Sequence, residues 1–373
     1  MTGKHLHIVC LDVPYPVNHG GMFDLFYKLV ALKKAGIRIH LHCFEYGKGE
    51  QPVLNEHCES VHYYPRRTGI RGLSRKLPYI VSSRDHPALA ERLLLDDHPI
   101  LLEGIHCTSI LNDDRFNGRK IFVRLHNVEH EYYEQLARSE RSPVKKIYYT
   151  HESRLLKKYE SQIAGKAIFL TVSEKDADTY RNNFQARVKF LPVFLAWDSI
   201  EAKTGFGQFS LYHGNLSVAE NAFAVNWLLK EVFSGLQSPF VIAGKDPSRK
   251  LQHLMHRWSH ICFAANPANE EMDDLIKKAH INILPAFNNT GVKLKLLHAL
   301  FQGRHCIVNR QTVEGSGLES CCHIADTASE MKAAIKTLID QEFTEEMIRQ
   351  RSDVLLKIYN NEENCRKLTG MIW

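Results

Sequence analysis

The chain has 373 residues, 44% hydrophobic and 24% charged, with a formal net charge of +6: long for one core, comfortable for two domains, and ordinary for a soluble globular enzyme. No apolar run approaches the roughly 20 residues that span a bilayer. The nine cysteines, an odd number scattered without metal-ligand or redox spacing, argue against a disulfide framework. The adjacent Cys321-Cys322 reads as buried thiols rather than a redox pair.

The opening segment MTGKHLHIVCLDVPYPV reads as a strand, His5–Leu11, and not as a secretory leader, because Asp12 interrupts its short alternating stretch. The expected compartment is therefore the cytoplasm. Further strands are predicted at Ile37–Phe44, Ile100–Glu103, Lys120–Leu125, Ala167–Val172 and Val188–Leu191. Between them lie helical patterns at Met22–Lys34, Pro87–Leu95, Glu131 to Ile163 and Glu174–Asn183. The long pattern is predicted to break at Ser142-Pro143, since proline excludes the helical conformation from the residue before it. The second half repeats the rhythm, with strands at Phe209–His213, Phe240–Ala243, Ile261–Ala264, Ile281–Leu284, Cys306–Val308 and His323–Ile324. Its helices fit Asn221–Phe233, Pro247–Arg257, Glu270–Ala279, Gly291–Phe301 and Ala328–Ile339. A polar stretch, Ala196–Gly207, separates the halves and is the expected hinge. A last helical pattern starts at Glu345, is followed by no strand, and is free to pack across the domain boundary.

This βαβα rhythm implies an α/β fold of two doubly wound Rossmann-like domains, residues 1–195 and 196–345, with a helical segment 346–373. Such domains facing each other across a cleft would place their functional loops around it. The candidate loops are Pro14–Gly21, Glu103–Ile105, His126–His130, Ser173–Asp176, His213–Asn215, Gly244–Asp246, Pro285–Gly291 and Val313–Leu318. No Gly-x-Gly-x-x-Gly follows the first strand and no Walker-type loop appears, which disfavours dinucleotide oxidoreductases and P-loop enzymes.

Charge is uneven along the chain. Residues 1–195 hold 29 basic against 22 acidic side chains, and the remainder 19 against 20. Arg66, Arg67, Arg71, Arg75 and Lys76 cluster beside Tyr63, Tyr64, Leu77, Tyr79 and Ile80, a mixture that suits an anionic membrane surface or an anionic acceptor. The plainer reading is a solvated basic loop. No nucleic-acid motif accompanies the charge, so nucleic acid is not an expected partner.

The segment Asn288–Asn309 carries the most chemistry. It reads as a polar turn and a helix opening at Gly291, whose unpaired N–H groups and dipole would seat a phosphate. Lys293 and Lys295 in its first turn fit a bound anion better than a bare helix start. A second pattern, His126-Asn127-Val128-Glu129-His130, spells H-x-x-E-H, a zinc metallopeptidase signature when both histidines share a helical face. Here His126 is expected to end a strand, so this remains a remote alternative.

Four segments in this order resemble the group 1, family 4 retaining glycosyltransferases of the GT-B fold, in particular bacterial members that build surface polysaccharides. They are RLHNVEHEYYEQLA, LYHGNLSVAENAFAVNWL, IAGKDP and PAFNNTGVKLKLLHALFQGRHCIVN with VEGSGL after it, preceded by Gly20-Gly21 beyond the first strand. The resemblance implies transfer of a hexose from a nucleotide-diphospho-sugar to a growing, lipid-linked glycan, with no cofactor and no metal requirement. It also implies a cytoplasmic enzyme peripheral to the inner face of the cell membrane. His126 corresponds to the family's histidine beside the donor sugar and is the candidate catalytic residue. Gly20, Gly21, Lys245, Thr290, Gly291, Val292 and Lys295 would hold the donor diphosphate. Thr290 and His298 stand where the family commonly has two glutamates, the second holding the nucleotide ribose, so His298 and Glu314 are the candidates for the ribose and base side. The family's Arg–Lys pair after the second-domain opening strand is missing, with Asn215 in that loop. These departures support the alternative of a non-catalytic protein that binds a nucleotide sugar or a glycan.

Overall fold

The fold, taken from a computed structural model, is described for residues 3–17, 20–140, 142–255, 257–288 and 291–373. The chain forms two units, one of Met1–Ala196 with Tyr359–Trp373, the other of Trp197–Ile358.

The first unit is built on seven parallel strands: β1 (His5–Cys10), β2 (Arg38–Glu45), β3 (Ser60–Pro65), β4 (Ile100–Glu103), β5 (Ile121–Leu125), β6 (Ile168–Thr171) and β7 (Val188–Phe190). Their order is β3-β2-β1-β4-β5-β6-β7. Every residue of β4 and β5 is buried, as a parallel sheet covered on both faces requires. On one face Leu25, Leu29 and Leu32 of the helix Gly20–Lys34 pack with Cys365, Leu368 and Ile372 of the last helix, Asn361–Ile372. On the other, Leu156, Tyr159 and Ile163 of the helix Pro143–Ile163 cover Val9, Leu102, Val123 and Phe169. The break at Ser142-Pro143 is present: Glu129–Ser139 ends, Ser142 is extended, and Pro143 opens the next helix, where its missing N–H costs nothing.

The second unit has six parallel strands: β8 (Ser210–Asn215), β9 (Phe240–Lys245), β10 (Ile261–Ala265), β11 (Ile281–Ile283), β12 (His305–Val308) and β13 (His323–Ile324), in the order β10-β9-β8-β11-β12-β13. Both sheets reverse their order beside the first strand of the unit, at β1/β4 and at β8/β11. Loops at the carboxyl ends of these strands form the crevice where doubly wound domains bind ligands.

Four expectations are corrected. β3 was not foreseen; it is an edge strand whose tyrosines and flanking arginines read as part of the basic cluster, and only Tyr64 is well buried. Gly20 and Gly21 do not lie in a loop but are the first two residues of a helix. The donor-loop helix does not open at Gly291. It runs Leu294–Gln302 with Lys293 as cap residue, because Gly291 takes a φ of +59°, left-handed backbone that an α-helix cannot include. Cys321 and Cys322 are half-buried free thiols.

Candidate active site

In the second unit the chemistry gathers at the β8/β11 crossover. The parallel register pairs Asn215 with Lys245, so the ends of β8 and β9 lie side by side. Lys295, in the first turn of Leu294–Gln302, sends its ammonium back over β8. It sits 4.9 Å from the Tyr212 ring centroid, donates to Asn221 Oδ1 at 3.1 Å and lies 3.3 Å from the Tyr212 hydroxyl. Asn221 is fixed in turn by donating to the Asn215 carbonyl at 2.8 Å. Burial pulls the Lys295 ammonium down to about 8, Glu220 opposing and Lys293 adding to the fall. An anion arriving here would restore the full charge. Lys293 donates to Asn288 Oδ1, and the Asn288 amide donates to Glu220, which ties the loop before Gly291 to the helix after β8. Asn309 at the end of β12 accepts from the Ala286 N–H at 2.9 Å and donates to the Ala286 carbonyl at 2.6 Å, latching the same loop from the other side.

The remaining second-unit candidates divide. Gly291 and Val292 lie directly before the helix start. Lys245 is exposed at the end of β9, and the next residue, Asp246, has a φ of +48° and donates its N–H to Asn266. Glu314 is exposed after the short helix Arg310–Val313, beside Gly315 and Gly317, whose positive φ angles bend the loop. His298 is already engaged. Its Nε2 donates to Asp273 at 2.7 Å and Gln302 at 3.0 Å, its ring stacks on Trp197 at 4.5 Å, and burial holds its pKa below the usual value despite Asp273. With Nε2 donating, the neutral ring leaves Nδ1 as an acceptor. Thr290 lies outside the described residues.

In the first unit His126 follows β5 and its Nε2 donates to Asp24 Oδ2 at 3.0 Å. Asp24 is wholly buried and the centre of a network. It accepts from Arg124 Nε and Nη2 at 3.0 and 3.1 Å and from the Phe194 N–H at 2.7 Å, with Lys28 Nζ at 3.2 Å. Burial opposes its charge, yet Arg124, Lys28 and the His126 hydrogen bond hold the carboxyl well below the usual carboxylate range. Lys28 also pairs with the buried Glu103 at 2.6 Å. Two acids and two bases thus neutralise each other in the interior and fix the His126 ring, leaving Nδ1 on the side of Gly21. A Cβ on Gly21 would stand 3.6 Å from that nitrogen. The ring of the strand-end histidine is thus held in one orientation by a buried carboxylate.

Asp24, Lys28, Glu103 and Arg124 were not singled out from the sequence. Their signal was there: charges inside apolar elements, FDLFYKL, ILLE and IFVRL. Such residues are almost never fully buried unless paired.

The metallopeptidase geometry is not present. The helix begins at Glu129, after His126, and His130 Nδ1 pairs with the buried Glu160 rather than facing His126. Among the described residues, the His, Cys, Asp and Glu sets close enough to share an ion do not include His130. Glu129 is itself notable. Burial and the neighbouring Glu160 push its carboxyl up to about 8, against Arg84 and Asn127, so it is a neutral acid at pH 7.

The basic cluster splits. Arg66 is half-buried, stacked over Tyr46 at 4.5 Å and 3.3 Å from Ser83 Oγ. Arg67, Arg71, Arg75 and Lys76 are exposed, interleaved with Ile70, 87% exposed, and Leu73, 59% exposed. Tyr79, which closes the segment, donates its N–H to Glu152 of the helix Pro143–Ile163, whose start carries exposed Val144 and Ile147 beside Lys145 and Lys146. No helix among the described residues is long and apolar enough to cross a membrane.

Comparison with known proteins meets this geometry. Residues 208–341 match the family model for glycosyl transferases group 1, which spans the β8/β11 site. An uncharacterized 44.6 kDa protein in the cps region of Klebsiella pneumoniae is 27% identical over 331 residues, covering 83% of this chain and 84% of that protein. Among solved structures, sucrose-phosphate synthase of Thermosynechococcus elongatus superposes with a TM-score of 0.74 at 12% identity, covering 99% of this chain and 98% of that one. HepE of Anabaena, solved with UDP and glucose, gives 0.67 at 10% identity, covering 99% of both chains. WaaG, a glycosyltransferase involved in lipopolysaccharide biosynthesis, gives 0.66 at 11% identity, covering 98% and 99%. The fold is GT-B, and the match to the group 1 glycosyl transferase model falls within the second unit.

Proposed function

We propose that this chain transfers a hexose from a nucleotide-diphospho-sugar to a growing, lipid-linked glycan of the cell surface, with retention of anomeric configuration. The observation that carries the reading is Lys295: a lysine with a lowered pKa in the first turn of Leu294–Gln302, beside the β8/β11 crossover within the segment that matches the group 1 glycosyl transferase model. In this reading the leaving diphosphate takes N–H groups from the first turn of Leu294–Gln302 and charge from Lys295, with Lys245 as a second, exposed cation. The bond between the anomeric carbon and the diphosphate oxygen breaks, a bond to the acceptor oxygen forms, and the acceptor proton leaves with the diphosphate. Such fixed positive charge at a leaving group supplies the transition-state stabilisation without a metal ion. His126 orients a sugar hydroxyl through Nδ1, and Asp24 holds the ring.

The same reading places the protein at the cytoplasmic face of an anionic membrane. Its support is the surface of Arg67, Arg71, Arg75 and Lys76 with Ile70, Leu73, Val144 and Ile147, cations beside apolar side chains that could enter a headgroup layer. The cps-region relative and the lipopolysaccharide enzyme favour polysaccharide assembly as the process.

A second reading, a binder without transfer, is favoured by one observation: His298 is bonded to Asp273 and Gln302 where the resemblance expects a ribose-binding glutamate. A thermal-shift screen against nucleoside diphosphates and nucleotide sugars, followed by donor turnover with and without His126→Ala, separates the two. Transfer or hydrolysis lost in His126→Ala supports the enzyme. Stabilisation without turnover supports the binder, and no shift with any nucleotide would falsify the enzyme and the nucleotide-sugar binder alike.

A further inference from the structure

Six histidines line one face of the first sheet at its amino end, opposite the loops discussed so far. Two H-x-H runs, His5-Leu6-His7 in β1 and His40-Leu41-His42 in β2, put four side chains on one face, because alternate strand residues point the same way. The parallel register sets His7 beside His40 and His40 beside Ser60, with His42 beside His62. His98, two residues before β4, stacks on His5 at 4.6 Å.

Within this array we propose that His5, His40 and His98 form a site for a divalent transition metal of the zinc class. One ring nitrogen from each lies within 4.8 Å of the others, and all three residues are half-buried and so within reach of solvent. His5 Nδ1 and His40 Nε2 are 2.9 Å apart, a hydrogen bond whose proton an ion would replace as the two nitrogens separate to the roughly 3.3 Å spacing of a tetrahedral site with bonds of about 2.0–2.1 Å. Imidazole is the preferred ligand of zinc, nickel and copper, whereas calcium and magnesium take oxygen.

The surroundings supply the outer support that metal-binding histidines need. His40 Nδ1 lies 2.9 Å from Ser60 Oγ, which turns Nε2 toward His5. Beneath it, His7 bridges His42 at 2.9 Å and both Asp96 oxygens at 3.0 Å, and His42 bonds the Tyr64 hydroxyl at 3.0 Å. The same loop carries both His98 and Asp96, whose carboxylate is shared between His7 Nε2 and the Arg119 guanidinium at 2.9 Å and so anchors the loop. Among the described residues, a second set of neighbouring ligand atoms, Asp24, Glu103 and His126, has its carboxylates already paired with Lys28 and Arg124. It is an internal ion network, not a metal centre.

The test uses the full-length, tag-free protein after chelator treatment, titrated with Zn²⁺ by calorimetry and with Co²⁺ by visible absorption. One equivalent should bind, and His98→Ala and His5→Ala should each lower the affinity at least tenfold. His253→Ala, an exposed histidine of the second unit, should leave it unchanged. His98 lies in a loop, so its variant tests the site even if a strand variant fails to fold. Absence of saturable zinc binding at 100-fold molar excess, or equal affinity in His98→Ala and wild type, overturns the assignment.

Discussion

Lys295 offers the sharpest quantitative prediction, because its lowered pKa couples nucleotide binding to pH. If the diphosphate requires the ammonium form, binding is favoured below about 8 and lost above it. With a free-protein pKa of about 8, roughly 90% of Lys295 is charged at pH 7 and roughly 10% at pH 9. The affinity for a nucleoside diphosphate should therefore fall about tenfold between pH 7 and pH 9, equivalent to about 1.4 kcal/mol. The ligand contributes little to this change, since its last phosphate ionisation lies near pH 6. Calorimetry at pH 8 in two buffers of different ionisation heat should show uptake of about half a proton. Lys295→Arg keeps the charge throughout, so its affinity should be flat with pH and its proton uptake near zero. A flat wild-type profile, or the same slope in Lys295→Arg, would refute the placement of the diphosphate against this side chain.

Three further outcomes follow from the first unit. Gly21→Ala sets a methyl group about 3.6 Å from His126 Nδ1, an ordinary contact without a clash at the first turn of a helix, so the melting temperature should hold while transfer falls at least tenfold. Full activity in a folded Gly21→Ala protein would remove His126 Nδ1 from the substrate's path. Asp24→Asn leaves Arg124 and Lys28 with one buried carboxylate between them and should cost about 3–5 kcal/mol in urea unfolding at pH 7. The stability that Asp24 confers is present above the ordinary carboxylate pKa and lost as pH drops through its depressed native value; an unchanged urea midpoint at pH 7 would contradict the network. Glu129 has the opposite sign. Its native pKa of about 8 lies above the unfolded value of 4.5, so the stability it allows is complete only below that unfolded value, declines as pH rises from there, and has been lost once pH passes through about 8. Glu129→Gln should flatten that decline, read as melting temperature against pH from 5 to 9, and an identical slope in both proteins would show that Glu129 is not the group titrating.

Much of the fold was legible because its signals are local. Apolar runs such as HIVC and IFVRL gave strands, Ser142-Pro143 gave a helix boundary, and the alternation of strands and helices gave the two doubly wound units. The donor-loop segment stood out in the sequence through Gly291 and the two lysines, and it falls within the residues that match the family model. The errors arose where a neighbour decides. Edge strand β3 has little apolar signal of its own and exists because β2 offers it a partner. The helix start moved from Gly291 to Leu294 because the loop before it is latched by Asn309 and Asn288, residues that no short-range pattern connects.

The site divides in the same way. Sequence determined which residues could do chemistry: His126, the glycines and Lys295. Tertiary structure decided what each one faces. Asp24 and Arg124 are 100 positions apart, yet their contact fixes the His126 ring, and His298 is occupied by Asp273 and Trp197 instead of standing open. The physical reason is that periodicity reports the conformation of a few successive residues, whereas charge burial, pKa and ring orientation depend on contacts that only the order of strands in a sheet brings together.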